Sequence, residues 1–418
     1  MKSINIETIS VDGKIDNSFI GIKIKNNKVK FYYPETYNLS SQKDIKTFRE
    51  DVLAILKTIN IAKTLSSNKS KIESSLAKNE SFALLSYLWI IHDYLANGIY
   101  VNREKVFKNN QRGRINWKRT MRNQPIISNG NVIYNNVVVE VRNNMDNLLV
   151  DIHKYCVKKS IDFIGWLFNM NSKGIITKPF TEGLKKIYIN ALRLEIDKTF
   201  DDYKKLRLNH MLKVINGLDA NSLDDEFLYG VDTYYYVFER MIDFIFGNQS
   251  NLKEFNPKAN WCLVQNNFKE TPSSELRPDS ILIKDNIVYI LDSKYYRFGF
   301  TADSRDLPET SSIQKQITYG DYLKKNNKIN IHSIRNAFIL PYNMYNNHFN
   351  SNDLIHYIGY AKSEWKDNNG DHEFVYTFLI DTKHVIKYWN KLNHNDEVNM
   401  FIELIDKAIK ERDEYLDS

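Results

Sequence analysis

Glu275-Leu276-Arg277-Pro278-Asp279-Ser280-Ile281-Leu282-Ile283-Lys284-Asp285-Asn286-Ile287-Val288-Tyr289-Ile290-Leu291-Asp292-Ser293-Lys294 reads as a β-hairpin. Asp285-Asn286 can take positive φ in a two-residue turn, and with Lys284 and Ile287 closing that turn, Asp279 stands opposite Asp292. Side chains alternate along a strand, so Asp279, Ile281 and Ile283 share a face with Val288, Ile290, Asp292 and Lys294. Two carboxylates and a lysine then converge at the open end of an otherwise apolar sheet face. Carboxylates that close repel unless a cation intervenes, and an oxygen-only donor set favours a hard ion such as Mg²⁺. The chemistry such a site suits is phosphodiester hydrolysis, with Asp279 and Asp292 binding metal and Lys294 orienting a water or compensating charge. A surface hairpin with an ordinary Lys294–aspartate ion pair is the bland alternative.

Upstream, a capping-box-like Ser222-x-x-Asp225 leads into a long helix expected over Tyr229 to Phe246. Glu239 lies on it beside Tyr235, Tyr236, Ile242 and Phe246 at helical spacing, either as a boundary residue or reaching toward the site. Downstream, strands are expected at Arg335–Pro341, Leu354–Ala361 and Phe374–Ile380, and a closing amphipathic helix at Val398–Ile409. Further back, Phe19–Ile24 and Val29–Tyr33 read as strands, Ile45–Leu65 and Ser81–Ala96 as helices. Helices also dominate from about Asn147 to Asn216, with breaks at Lys173-Gly174 and Pro179. The domain boundary is expected at Gly217–Ser222.

The 418 residues, 42% hydrophobic and 13% aromatic, suit a folded protein of two or three domains. Cys156 and Cys262 are too far apart in sequence for a CxxC-type zinc site, and no disulfide framework can be built from two cysteines. The first seven residues lack a signal-type apolar stretch. The most apolar window, Phe82–Ala96, contains His92 and Asp93, so a cytoplasmic protein without membrane spans is expected. The formal charge is +7, and its distribution is uneven. Between Val101 and Pro125 stand eight basic residues (Arg103, Lys105, Lys108, Arg112, Arg114, Lys118, Arg119 and Arg122) and one acidic residue, Glu104. With Trp117 among them, this segment suits DNA phosphate binding or is a solvated basic face.

Pro278-Asp279, followed by Asp292-Ser293-Lys294, resembles the PD-(D/E)xK nuclease motif, and Glu239 matches the glutamate often found on that fold's first core helix. The resemblance implies a C-terminal domain with a mixed central sheet flanked by helices. It also implies Mg²⁺ on Asp279 and Asp292, help from Lys294 to the attacking water, and support from Glu239. Ser312 to Tyr322 resembles the helix that follows the lysine strand. Gln316 and Tyr319 are auxiliary candidates there, although their spacing departs from the commonest Gln-x-x-x-Tyr form. The string Arg112-Gly113-Arg114-Ile115-Asn116-Trp117-Lys118-Arg119-Thr120 resembles one in LlaJI-type restriction endonucleases and McrC-like nuclease subunits, where it precedes such a domain by a similar distance.

The expectation is therefore an α/β protein. An N-terminal α+β domain (1–220) binds DNA or a partner through Arg112, Arg114, Trp117, Lys118, Arg119 and Arg122. It is followed by a PD-(D/E)xK endonuclease domain (221–418). The resemblance implies restriction of foreign double-stranded DNA by a homo-oligomer or hetero-complex, and an AAA+ GTPase partner of McrB type. No GxxxxGK[ST] loop occurs, so that motor would be another chain. A repair or recombination nuclease, and a non-catalytic DNA-binding or bridging subunit, are the alternatives.

Overall fold

Asp285 and Asn286 both take positive φ, 52° and 60°, and close the hairpin as its turn chemistry requires. The structure, a computed structural model, describes residues 5–12, 18–25, 28–65, 84–101, 104–110, 112–143, 148–217, 226–249, 251–325, 332–367 and 370–417. In chain order its first elements are β1 (Asn5–Val11), β2 (Ile20–Lys25), β3 (Lys28–Pro34), α1 (Ile45–Leu65), α2 (Leu84–Asn97), β4 (Glu104–Asn109), β5 (Arg114–Ile115), α3 (Trp117–Thr120), β6 (Ile126–Ser128), β7 (Asn131–Ile133) and β8 (Val138–Asn143). Then come α4 (Leu148–Ile164), α5 (Glu182–Lys198), α6 (Asp202–Asn216), β9 (Glu226–Val231) and α7 (Tyr234–Phe246). The remainder is β10 (Asn260–Cys262), β11 (Glu270–Pro272), β12 (Ser280–Lys284), β13 (Ile287–Ser293), α8 (Phe298–Thr301), α9 (Thr310–Lys325), β14 (Ser333–Tyr342), β15 (Ile355–Lys362), β16 (Phe374–Asp381), α10 (Thr382–Tyr388) and α11 (Asn395–Asp417).

The chain divides into two compact units that do not follow its order: residues 6–23, 29–80 and 228–418 form one, and 81–227 with 1–5 and 24–28 form the other. The N-terminal strands and α1, which the sequence groups with the first domain, thus pack with the last. Two contacts explain this. Strand β9 hydrogen-bonds to β2 in the sheet β1-β3-β2-β9. Gly21 and Gly230 let the two backbones meet, since a Cβ on either would fall 2.1–2.3 Å from the other strand's carbonyl oxygens. The single long helix expected from Tyr229 is therefore a strand, Glu226–Val231, and then a helix that begins at Tyr234. Ser222 and Asp225 lie outside the described residues. Helix α1 is tied to α10 by Asp51, whose carboxylate meets Lys383 Nζ and Lys387 Nζ, each at 2.8 Å.

In this larger unit a five-stranded mixed sheet runs β12-β13-β14-β16-β15. Pairs β13/β14 and β14/β16 are parallel, while β12/β13 and β15/β16 are antiparallel. Helix α9 covers one face, with Ile317 packed on Phe338, Leu340, Tyr342, Val375 and Leu379. Helices α7 and α11 cover the other: Phe401 of α11 meets Tyr289 and Phe378, and Phe246 of α7 meets Phe401. Strand β12 is an edge, and an exposed edge invites mispairing. The Asn248 side chain occupies it, accepting from the Ile283 N–H at 2.9 Å and donating to its carbonyl at 2.7 Å.

The other unit packs α2, α4, α5 and α6 on one another and also holds the sheet β4-β8-β5 and the hairpin β6-β7. Its buried charge is matched: Asp93 of α2 accepts from Arg207 of α6 at 2.7 and 2.9 Å and from the Tyr203 hydroxyl at 2.6 Å. Among the described residues no helix is long and apolar enough to cross a membrane.

Candidate active site

Register builds the site. Ser280 pairs with Leu291 and Ile281 with Ile290, so Asp279, one residue before β12, stands across from Asp292. Ile281, Val288 and Ile290 pack with Phe255, Tyr319, Leu323 and Ile334, leaving the carboxylates at the end of an apolar face, as the alternation predicts.

Asp292 is 2% exposed. Its Oδ2 lies 2.6 Å from Lys294 Nζ, and its buried Oδ1 has no hydrogen-bond donor. Asp279 accepts from the Ser293 N–H at 3.2 Å through Oδ2. Burial, then the charges of Asp292 and Glu239, push the Asp279 carboxyl well above the usual range, with Lys294 opposing. Burial alone would depress the Lys294 ammonium, but the charge and hydrogen bond of Asp292 outweigh it and leave its pKa raised. The backbone N–H of Lys294 donates to Ile339 of β14 at 3.0 Å, which extends the strand pairing through the lysine.

Glu239 sits partly buried on α7, close enough for its charge to act on Asp279. The structure thus brings together Asp279, Asp292, Lys294 and Glu239. Crowded carboxylates and a buried carboxylate oxygen without a donor form an oxygen donor set that fits a hard divalent cation.

Gln316 and Tyr319, three residues apart on α9, both face the sheet. Gln316 is 1% exposed and its amide donates to the Ile290 carbonyl at 2.6 Å, fastening α9 to the strand that carries Asp292. Tyr319 is buried, and burial followed by the charges of Asp292 and Asp279 raises its pKa.

A second group, Asp321, His372 and Glu373, brings ligand-type atoms within 4.8 Å of one another. Lys366 Nζ already lies 2.6 Å from Asp321 Oδ2, and His372 Nε2 lies 3.3 Å from Oδ1. These contacts join α9 to the turn before β16.

The basic segment lies in the other unit. Asn116 caps the short α3 by accepting from the Arg119 N–H, and the Arg119 guanidinium stacks 3.7 Å from the Phe107 ring. Arg112, Arg114, Lys118 and Arg122 are exposed, and so is Trp117 at 56%. Gly113 presses against β8: a Cβ there would lie 2.8 Å from the Glu140 carbonyl oxygen, which accounts for a glycine between the two arginines. Arg103 lies outside the described residues.

Sequence reasoning missed one anchor. Arg297, three residues past Lys294, makes a paired contact with Glu35 at 2.7 and 3.0 Å. Tyr295 between them packs on Tyr234 and Phe238 at ring distances of 5.4 and 5.6 Å. Glu35 is too distant in sequence for any local pattern to reveal the pairing.

A carboxylate cluster with a strand lysine, at the end of a mixed sheet between helices, has the composition that metal-assisted hydrolysis requires. The LlaJI restriction endonuclease family matches residues 19–381, and the chain belongs to that family. No curated protein matches the sequence. Similar solved structures include a half-complex from a tetradecameric assembly of Thermococcus gammatolerans McrB AAA+ hexamers with bound McrC. That likeness has 14% identity and a TM-score of 0.38, over 91% of this chain and 81% of that chain. Another is the McrBC complex of the same organism, at 15% identity and TM-score 0.25, over 54% of this chain and 64% of that chain.

Proposed function

We propose that this chain is the Mg²⁺-dependent DNA endonuclease of a bacterial restriction system, cutting foreign double-stranded DNA as a type II or McrBC-like enzyme. The observation that carries this reading is the buried Oδ1 of Asp292, without a hydrogen-bond donor, on a residue that stands across the strand pair from Asp279. Asp279 and Asp292 would hold the metal with support from Glu239. A bound Mg²⁺ supplies Lewis acidity, lowering the pKa of a water and stabilising charge on the phosphate. Lys294, kept cationic by Asp292, orients the attacking water and offsets the growing negative charge. Gln316 fixes the strand under the site and Tyr319 closes its apolar side. Arg112, Arg114, Trp117, Lys118, Arg119 and Arg122 grip DNA. Double-strand cutting calls for two such centres, hence a homo-oligomer or hetero-complex, working in the cytoplasm. In this reading an AAA+ GTPase of McrB type acts as the partner.

The test is cleavage of unmethylated and methylated closed circular DNA with Mg²⁺, with and without a co-expressed AAA+ GTPase and GTP. Cutting that disappears in Lys294→Ala and on chelation is expected. Full cutting by Lys294→Ala would overturn the assignment.

A further inference from the structure

Beneath the last turns of α9 lies a polar cluster that the chemistry above leaves unused. Asp321 on the helix, and His372 and Glu373 in the turn before β16, each offer a ligand-type atom, and these atoms stand within 4.8 Å of one another. His372 is 4% exposed and Glu373 is buried beside it. The turn that carries them is fastened from several sides. The Asn336 amide donates to the His372 carbonyl at 2.6 Å and the Glu373 N–H to that of Gly370 at 2.9 Å. Between them Asp371 accepts from Arg412 at 3.0 Å and from the Ser333 hydroxyl at 3.3 Å. Two glycines make room for the imidazole. A Cβ on Gly320 would fall 2.7 Å from the His372 Cβ, and one on Gly370 2.6 Å from its Nδ1. Neither glycine has a positive φ, so clearance around the ring is what these positions require.

A fourth polar atom points to a ligand. Asn336 lies on β14 between Ile334 and Phe338, which pack under α9, so alternation puts it on that same face. It is 0% exposed, and its Oδ1 accepts from no described residue. The nitrogen of the same amide is the one bonded to the His372 carbonyl, which places the oxygen beside the cluster. A buried acceptor of this kind is costly unless a bound water or a cation meets it. The positive charge at Asp321 comes from Lys366, whose Nζ lies 2.6 Å from Oδ2 in a pair with side chains 28% and 40% exposed. So solvated a pair contributes little, and its lysine yields readily to a stronger cation.

We infer that Asp321, His372 and Glu373 bind a divalent transition-metal ion of the Zn²⁺ class, and that Asn336 Oδ1 accepts from a water on that ion. The inference is independent of the nuclease reading. Donor chemistry separates this centre from the Asp279 cluster. Asp279, Asp292 and Glu239 offer oxygen alone, which suits Mg²⁺, whereas an imidazole with two carboxylates suits Zn²⁺. Ligand atoms sharing a Zn²⁺ at ~2.1 Å stand no more than ~4.2 Å apart, so a cluster spanning 4.8 Å has about 0.6 Å to close. His372 Nε2 and Asp321 Oδ1, at 3.3 Å, already lie within that span. A bound ion fastens α9 to the entry of β16. Gln316 of the same helix holds the Ile290 carbonyl, so the ion also stiffens the platform on which Asp292 stands.

The experiment is a calorimetric titration of Zn²⁺ into the full chain carrying Asp279→Asn, in excess Mg²⁺, so that the oxygen-only cluster does not report. Uptake of one Zn²⁺ per chain is expected, with a rise in Tm because the ion binds the folded state. His372→Gln and Asp321→Asn should each weaken binding by ~10-fold or more, at least the loss that follows removal of an outer-shell partner. Asp321 is half-exposed, so Asp321→Asn leaves the core intact even where His372→Gln disturbs it. Lys366→Ala removes the competing ammonium and should tighten binding by up to about fivefold, the worth of a surface ion pair. No uptake of Zn²⁺, uptake as tight in Asp321→Asn as in its parent, or weaker binding in Lys366→Ala would each overturn the proposal.

Discussion

Lys294 clamps one oxygen of Asp292 at 2.6 Å and leaves the other, buried, without a donor. Asp279 adds a second carboxylate directly across the strand pair. Without a cation the like charges oppose folding. Asp279→Asn should therefore raise stability in chelator by a few tenths to about 1 kcal/mol, while abolishing cleavage and the rise in Tm that Mg²⁺ gives the unaltered chain. Thermal unfolding with and without Mg²⁺ measures both, and a variant that still gains stability from Mg²⁺ would remove Asp279 from the metal site.

Gln316 reaches the Ile290 carbonyl from α9, which gives it a fastening role. Gln316→Leu keeps the volume and loses the bond, at a cost of about 1–3 kcal/mol for an acceptor left buried. Denaturant unfolding should register that cost with cleavage per folded molecule retained. Lost cleavage at unchanged stability would instead make Gln316 a participant in the chemistry.

Asp51 is fully buried between Lys383 and Lys387 and also accepts from the Ser40 N–H at 2.9 Å. Burial works against its charge, but these donors outweigh it and hold its pKa down to about 2. A depressed carboxylate contributes stability above its unfolded value, near 3.9, and loses it as pH falls toward the folded one. Asp51→Ala should cost about 1–3 kcal/mol at pH ~7, with the gap to the unaltered chain narrowing below pH ~4. A gap independent of pH would contradict the ion-pair account.

Lys118 and Arg122 are exposed beside Trp117. If they neutralise phosphates, each alanine substitution should lower the slope of log affinity against log salt by about 1, uniformly across sequences. An unchanged slope in a titration from low to high salt would point to protein docking instead.

Gly113→Ala places a methyl 2.8 Å from the Glu140 carbonyl oxygen, so β5 must part from β8. Faster amide exchange at Asn116, whose N–H donates to the Val138 carbonyl, and weaker DNA binding are expected, with amide protection of β12–β14 unaltered. Undisturbed exchange at Asn116 would show that the strands tolerate the methyl.

The hairpin that carries Asp279 and Asp292 was legible because turn chemistry and two-residue alternation act over a few positions, and together they fix which side chains share a face. Periodicity found α1 and β14 for the same reason. What local pattern could not carry was partnership across the chain. Glu226–Val231 reads as the start of a helix until Gly230 meets β2, and Glu35 gives no sign of Arg297. The exposed β10–β11 hairpin escaped notice because exposed apolar residues in a loop leave no periodic signature.

The larger unit is written in the chain in pieces, 6–23 and 29–80 before residues 81–227 and 228–418 after them. During synthesis β1–β3 and α1 leave the ribosome with their partners β9, α7 and α10 still unmade. Domains generally fold as units as they emerge, so the segment between can complete its helices first, while the early strands wait with open edges. The carboxylate cluster around Lys294 then assembles only after residues 228 onward have been made.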